Sequence, residues 1–324
     1  MSRYYVRVLL SIDDILAVEK EIVTQLPIFQ TAHWLNSVGR NLVAIVCYDK
    51  QHQVKGYLPL VKTKKFGLFG YHIPPYTPYY GPTIFDENGK SRLLIFEQLI
   101  RPLKDEPHLD FKLPLPNNDL VPYLAHGFSI EALQTHVADG MSYDVEKLNP
   151  DKKRDVKRLL KAVDDGNLVV NENNFDLNSL LTLWEITSKR ASFKSGIDHL
   201  RRIFFSSGVT SYYSNLIQDK HGALLASTYC PFDNNKMYHL IGASAQVDDS
   251  LFKRANILSL HLALQEATKK ALSFDYEGSN ISGIAQFYRM MSGEPKLVFR
   301  IQRTRSVYYN VLRFYKRIQF EKND

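Results

Sequence analysis

The stretch FDYEGSNISGIAQFYRMMSGEP, residues 274–295, takes an apolar run into two acids, Asp275 and Glu277. It then turns through Gly278-Ser279-Asn280 and enters a segment of helical spacing that holds Phe287, Tyr288 and Arg289. The pattern predicts strand, turn and helix, with a further strand over 296–303. The first half of the chain closes the same way. LDFKLPLPNNDLVPYLAHGFSIEALQ (109–134) lies along SFDYEGSNISGIAQFYRMMSGEPKLVFRI (273–301), which sets Tyr123 against Tyr288 and Gly127 against Ser292. Asp110 then stands where Asp275 does, Lys112 replaces Glu277, and the turn reads Pro-Leu-Pro-Asn.

The order upstream is shared as well. NLVAIVCYDKQHQVKGYLPLVKTKKFGLFGY (41–71) reads as three antiparallel strands over 42–48, 54–63 and 67–71. A second meander is expected over 211–217, 223–230 and 237–243. Helices precede each meander. The first half has 13–26, with Ile15, Val18, Ile22 and Leu26 on one face and Pro27 as its stop, and 31–38 around Trp34. The second has 149–166 and 177–190. Asn149 or Asp151 can N-cap the former, Pro150 suits its first turn, and Gly166 ends it. After the meanders come helix 91–103, strand 109–113, helix 118–126 and strand 130–137. Their counterparts are helix 254–271, strand 272–276, helix 282–291 and strand 296–303. A basic, aromatic helix over 306–319 ends the chain. An internal duplication accounts for this order. The expected class is α/β (α+β), with two tandem domains, 1–147 and 148–324, each a mixed, mostly antiparallel sheet flanked by helices.

Composition fits that frame. The chain has 324 residues, enough for two ordinary cores. Hydrophobic content of 44% and charged content of 23% exclude a disordered chain. With 19 Tyr and 18 Phe, aromatic rings remain to line a cleft. A net charge of +7 favours anionic partners without choosing among phosphates, nucleic acid and acidic lipid. Cys47 and Cys230 lie far apart in strand-like runs and read as buried, reduced thiols. MSRYYVRVLLSIDD meets Asp13-Asp14 early and lacks the apolar core of a signal peptide. No apolar run approaches the roughly 18 residues of a membrane span. A cytoplasmic location is therefore expected, with peripheral membrane contact left open. His33, His72, His199, His239 and His261 stand in no spacing of a metal site or triad, so no metal is expected. No Gly-x-Ser-x-Gly elbow is present.

A meander followed by helix, strand, helix and strand resembles the GNAT acyltransferase fold. That family closes on Asn-x-x-Ala-x-x-x-Tyr-x-x-x-Gly-Phe, which Asn280, Ala285, Tyr288 and Ser292-Gly293 follow loosely, while Tyr123 and Gly127-Phe128 keep the ending in the first half. Two such halves resemble the Fem-type peptidoglycan aminoacyltransferases and the cellulose-biosynthesis-associated acetyltransferases. The stretches behind the resemblance are FQTAHW (29–34), GYLPL (56–60), KKRDVKRLLKA (152–162), YHLIGAS (238–244), RANILSLHLALQEA (254–267) and FDYEGS (274–279). The resemblance implies N-acyl transfer, acetyl or aminoacyl, to an amine of a cell-envelope or polysaccharide precursor. The amine would attack directly, without a covalent enzyme intermediate. Acetyl-CoA or aminoacyl-tRNA is the implied donor. An anionic or nucleotide-linked sugar is the implied acceptor, with tRNA a further partner. The donor's phosphates would then meet Lys253, Arg254 and Asn256, with Asn280 at the turn. The loop there, QVDDSLFKRAN (246–256), has no glycine. Where Fem-type enzymes have a Phe-Lys pair, the chain has Phe287-Tyr288.

The residues allow matching roles. Asp275 and Glu277, two apart on a strand, share one face, and either carboxylate can take a proton from an amine. Tyr288 can protonate a leaving group, and Arg289 can stabilise an oxyanion. Arg154, Lys157 and Arg158 form a basic stripe on one helix, suited to phosphates. Tyr76, Tyr79 and Tyr80 in IPPYTPYYGP (73–82) can wall an acceptor cleft. Each also has a structural alternative: a cap or ion pair for the acids, a core position for Tyr288, a solvated face for the cations, a rigid loop for the tyrosines. The rival function is a catalytically degenerate pair that binds an anionic glycan precursor or nucleic acid.

Overall fold

The computed structural model describes residues 3–39, 41–65, 67–85, 89–114, 119–193, 196–206, 208–277, 281–307 and 311. Asn280, its turn and nearly all of the expected tail helix lie outside these. The chain divides into two compact units. Unit 1 comprises Met1–Leu133, Phe205–Gly208 and Val298–Asp324, and unit 2 comprises Gln134–Phe204 and Val209–Leu297.

Unit 1 opens with a strand not expected from the sequence, β1 (Tyr4–Leu9). Then come α1 (Ile12–Ile22), α2 (Ala32–Val38), β2 (Leu42–Asp49), β3 (Val54–Lys65), β4 (Leu68–Tyr71), β5 (Thr83–Ile84), α3 (Gly89–Ile100), β6 (His108–Lys112) and α4 (Val121–Ala125). Ser11 caps α1 through the Asp13 amide, and Thr31 caps α2 through the Trp34 amide. The sheet order is β1-β2-β3-β4-β6, antiparallel except that β4 meets β6 in parallel at Tyr71 and Leu109. Arg300–Thr304 of the last strand pair antiparallel with β6. In the core, Trp34 is fully buried and its indole N–H donates to Thr77 Oγ1 at 3.1 Å. Buried Glu19 accepts from the Ala32 amide at 2.7 Å and the Tyr57 hydroxyl at 2.5 Å. Burial pushes the Glu19 carboxyl up to about 7.

Unit 2 takes in the end of β7 (Ser129–Ala138) and continues with α5 (Pro150–Asp164), β8 (Leu168–Glu172), α6 (Leu177–Arg190) and α7 (Ile197–Ser206). After these come β9 (Tyr212–Asp219), β10 (Leu224–Pro231), β11 (Lys236–Tyr238), β12 (Ile241–Ser244), α8 (Ala255–Lys269), β13 (Ser273–Asp275) and α9 (Ser282–Met290), before β14 (Glu294–Thr304). One set of strands runs β12-β10-β9-β8, another β11-β13-β7. α5 forms because Asn149 caps it and Val156, Leu159 and Ala162 give it one buried face. Gly140 lies where a Cβ would stand 1.5 Å from the Leu272 carbonyl oxygen, so only glycine fits that approach. β8 and α7 were not expected from the sequence. The single strand expected over 237–243 is two strands, β11 and β12, with different partners. No helix among the described residues is long and apolar enough to cross a membrane.

Candidate active site

The break between β11 and β12 makes the site. β11 runs parallel to β13, pairing Lys236 with Ser273, Met237 with Phe274 and Tyr238 with Asp275. The His239 amide still donates to the Asp275 carbonyl at 2.8 Å. Leu240 N then turns back to the Tyr238 carbonyl, and β12 leaves to pair with β10. β13 stops there too, and Glu277 takes a left-handed φ of 60°. The chain thus leaves β13 at this point, and a cavity of about 370 Å³ lies beside the break.

Its walls come from β12, which gives Gly242, Ala243 and Ser244, and from five further stretches. The end of α6 and the turn after it give Trp184, Thr187, Arg190 and Phe193, and β10 gives Ser227 and Thr228. The break gives His239, α8 gives Asn256 and Ser259, and α9 gives Ile284, Phe287 and Tyr288. No carboxylate is among the described residues that line it.

Several of these side chains are held in place. Arg190 donates to Ser244 Oγ at 3.0 Å and to the Ala245 carbonyl at 3.3 Å. Both are neutral acceptors, and Arg190 is an exposed residue at the cavity wall. Thr187 Oγ1 donates to the Ser244 carbonyl at 3.1 Å and accepts from its amide at 2.9 Å, which pins α6 to β12. Ser259 Oγ donates to Asn215 Oδ1 at 2.5 Å, and Ser227 Oγ donates to the Asn215 carbonyl at 2.8 Å. The Asn215 amide donates to the Tyr213 hydroxyl at 3.2 Å, which donates to Glu172 Oε2 at 2.6 Å.

His239 lies over the strand that follows it. A Cβ on Gly242 would stand 2.6 Å from His239 Nε2, so the glycine makes room for the ring. Burial pushes the His239 pKa down to about 4, which leaves a neutral imidazole at neutral pH. Tyr288 meets that ring edge-on at 6.3 Å and packs on Tyr276 at 4.6 Å. Burial raises the Tyr288 hydroxyl above its ordinary value, and the nearby charge of Glu277 raises it further. Tyr288 is therefore a protonated donor.

The sequence-derived candidates fall in different places. Tyr288 and Asn256 line the cavity. Glu277 does not, but its charge acts on Tyr288. Asp275 is fully buried, accepting from Thr135 Oγ1 at 2.8 Å and from the Glu277 amide at 2.9 Å, with Lys236 Nζ at 3.7 Å. Arg289 is exposed on α9. Arg254 is paired with Asp155, and Lys253 is exposed. On α5, Arg154 pairs with Asp151 at 2.8 Å and Lys157 with Glu146 at 2.7 Å, while Arg158 is exposed. In place of these cations, Lys152 of the same helix sits 5.3 Å from the Phe287 ring. Tyr79 and Tyr80 are core residues of unit 1, 1% and 0% exposed, and Tyr76 is half-buried. Tyr80 exchanges two backbone hydrogen bonds with Lys112, which draws both rings inward.

Coenzyme A, which a GNAT fold implies, has a poor seat here. Its pyrophosphate would need free amides ahead of α8. Asp249 Oδ1 already accepts from the Leu251 amide at 2.7 Å and the Phe252 amide at 2.9 Å. The carboxylate stands where a phosphate would, and those hydrogen bonds hold it below its usual range.

Unit 1 has a counterpart that is filled. His72 follows Tyr71 at the end of β4 as His239 follows Tyr238 at the end of β11, a repeated pair that the sequence analysis did not use. His72 is 3% exposed and stacks on His108 at 4.4 Å. Measured from the Tyr-His pair, β6 and β13 are one residue out of step. Tyr71 pairs with Leu109 but Tyr238 with Asp275, so Asp110 and Asp275 are not equivalent. His72, His108 and Asp110 have ligand atoms within 4.8 Å of one another. Arg300 nevertheless binds Asp110 at 2.9 and 2.7 Å, so the carboxylate's charge is already balanced.

No family model and no curated protein matches the sequence. Solved structures do match. The chain is similar to FemX at 13% identity and a TM-score of 0.68, covering 90% of this chain and 96% of that one. It is similar to L-PGS from Bacillus licheniformis at 12% identity and 0.57, covering 94% and 95%. It is similar to a tandem GNAT protein from the clavulanic acid biosynthesis pathway at 13% identity and 0.53, covering 93% and 98%. At such identities the likeness is one of fold. The chain has a GNAT fold, as the tandem GNAT protein does.

Proposed function

We propose that the unit 2 cavity transfers an acyl or aminoacyl group from an activated ester to an amine, by direct attack. The observation behind this reading is the pairing of a neutral imidazole and a protonated phenol, His239 and Tyr288, in one cavity beside the break between β11 and β12. A cavity without carboxylates holds an amine in its neutral, nucleophilic form, since nothing there stabilises the ammonium. After attack, the nitrogen is cationic beside an alkoxide and acidic enough for a weak base. His239 accepts that proton, and Tyr288 gives its own to the leaving oxygen. Glu277 keeps the proton on Tyr288 until that step. Arg190 clamps a carboxylate or phosphate of the substrate, and the rings of Trp184, Phe193 and Phe287 pack on its apolar or flat parts.

The Asp249 cap sets the donor apart from coenzyme A thioesters and favours an ester such as aminoacyl-tRNA. An anionic envelope precursor, such as a nucleotide-linked sugar, suits Arg190 as acceptor. The folds of FemX and the tandem GNAT protein support the reading without fixing the substrate. A thermal-shift panel tests it. Coenzyme A and acetyl-CoA leave the midpoint unchanged. Aminoacyl-tRNA or a UDP-linked precursor at about a hundredfold excess over its Kd adds about 3 kcal/mol of stability. Stabilisation by acetyl-CoA alone would overturn the donor assignment, and no response to any compound would leave no transferase.

A further inference from the structure

Tyr288 lies between two imidazoles. His239 faces the cavity, and His136 of β7 lies behind, its ring 5.9 Å from that of Tyr288. His136 is fully buried, and neither ring nitrogen has a hydrogen-bond partner among the described residues. Such an imidazole lowers stability, because its polar atoms lose water and gain nothing in return. An apolar ring of the same shape would fill the place without that loss. The strand around it is not carelessly polar: the neighbouring Thr135 is buried too, and its hydroxyl is spent on Asp275. Gly293 is also fitted to this spot, since a Cβ there would come 3.1 Å from His136 Cβ and 2.8 Å from the Tyr288 carbonyl oxygen. Burial and the charge of Arg289 lower the His136 pKa against the opposing effect of Asp275, so the ring is neutral at neutral pH. A buried polar ring kept at a loss of stability, against a residue placed in the chemistry, is a mark of function over fold.

We infer that His136 is a positioning residue that works through Tyr288, giving the phenol oxygen a polar partner when it surrenders its proton. This rests on the transfer reading above. In that step the Tyr288 O–H bond breaks and its proton forms the new O–H bond of the leaving group. The proton that His239 took from the amine then restores Tyr288, so no proton is gained or lost overall. His136 stays neutral throughout and changes only the ease with which Tyr288 becomes an anion.

The test compares wild type with His136→Phe and His136→Gln, reading thermal midpoint, kcat and KM in a transfer assay. The expected result for His136→Phe is a midpoint raised by a few degrees and a kcat lowered tenfold or more at unchanged KM. His136→Gln, which keeps a donor, retains more turnover than the Phe variant, and it decides the matter alone if the Phe variant does not fold. Unchanged kcat in these variants overturns the inference and leaves the transfer reading standing. A lowered midpoint with kcat and KM both impaired also overturns it, because His136 would then be packing. Wild type without any transfer sinks both readings together.

Discussion

Tyr288→Phe lowers kcat by about a hundredfold or more, the usual loss for a general acid, or about 3 kcal/mol of barrier. The substitution removes one oxygen and keeps the ring, so the contacts with Tyr276, His136 and His239 survive. KM stays near its wild-type value, because the hydroxyl acts on the leaving group in the transition state. His239→Gln produces a loss of similar size. The double variant loses little more than the worse single one, since the two groups serve one proton circuit. Steady-state kinetics on the four proteins check this. Additive losses would show that the two residues act apart, and a silent Tyr288→Phe would remove Tyr288 from the chemistry.

Arg300→Met destabilises unit 1 by roughly 3–5 kcal/mol, the cost of stranding a buried carboxylate. Asp110 is 1% exposed and both its oxygens are bonded by Arg300. Although burial opposes it, the hydrogen bonds and charge of Arg300, with smaller help from His108 and Gln302, hold the Asp110 pKa down at about 2. A carboxylate depressed on folding stabilises above its unfolded pKa of about 3.9 and loses that stability as pH falls through its folded value. Wild type therefore loses an increment between about pH 4 and pH 2 that Arg300→Met lacks. Asp110→Leu with Arg300→Met recovers most of the loss, because no charge remains unpaired. Denaturant unfolding at pH 7 and pH 3 measures all three. A double variant no better than the single one would contradict the account.

Much of the fold was legible, and the reasons differ from element to element. The meanders announced themselves through apolar runs divided by polar turns, and the helices through periodic faces and end signals such as Pro27 and Asn149. Three short strands escaped, one of them the two-residue β5. YYVRVL of β1 stands against the N-terminus, and LVVNE of β8 is five residues between turns, where local pattern is weakest. The site was harder to see. Tyr288 could be picked from its helix, but Glu277, read with Asp275 as a candidate base, does not line the cavity. His239 was set aside because metal and triad spacings are local, whereas its setting depends on β11 and β12 choosing different partners. Arg190 ended a correctly placed helix, yet nothing in α6 alone shows which face meets β12. The tyrosines of the proline-rich loop read as walls of a cleft or as a rigid surface loop, whereas the pairing of Tyr80 with Lys112 turns Tyr79 and Tyr80 inward.

The central claim is that unit 2's cavity is where the acyl group changes hands. A photoreactive aminoacyl-ester analogue, cross-linked in the presence and absence of excess unlabelled ester and mapped by mass spectrometry, tests it directly. The account predicts competable label on peptides spanning 184–193, 239–244 or 284–288, and its loss in a Gly242→Leu variant that drives His239 into the cavity. Competable label confined to unit 1, or undiminished in Gly242→Leu, would contradict it.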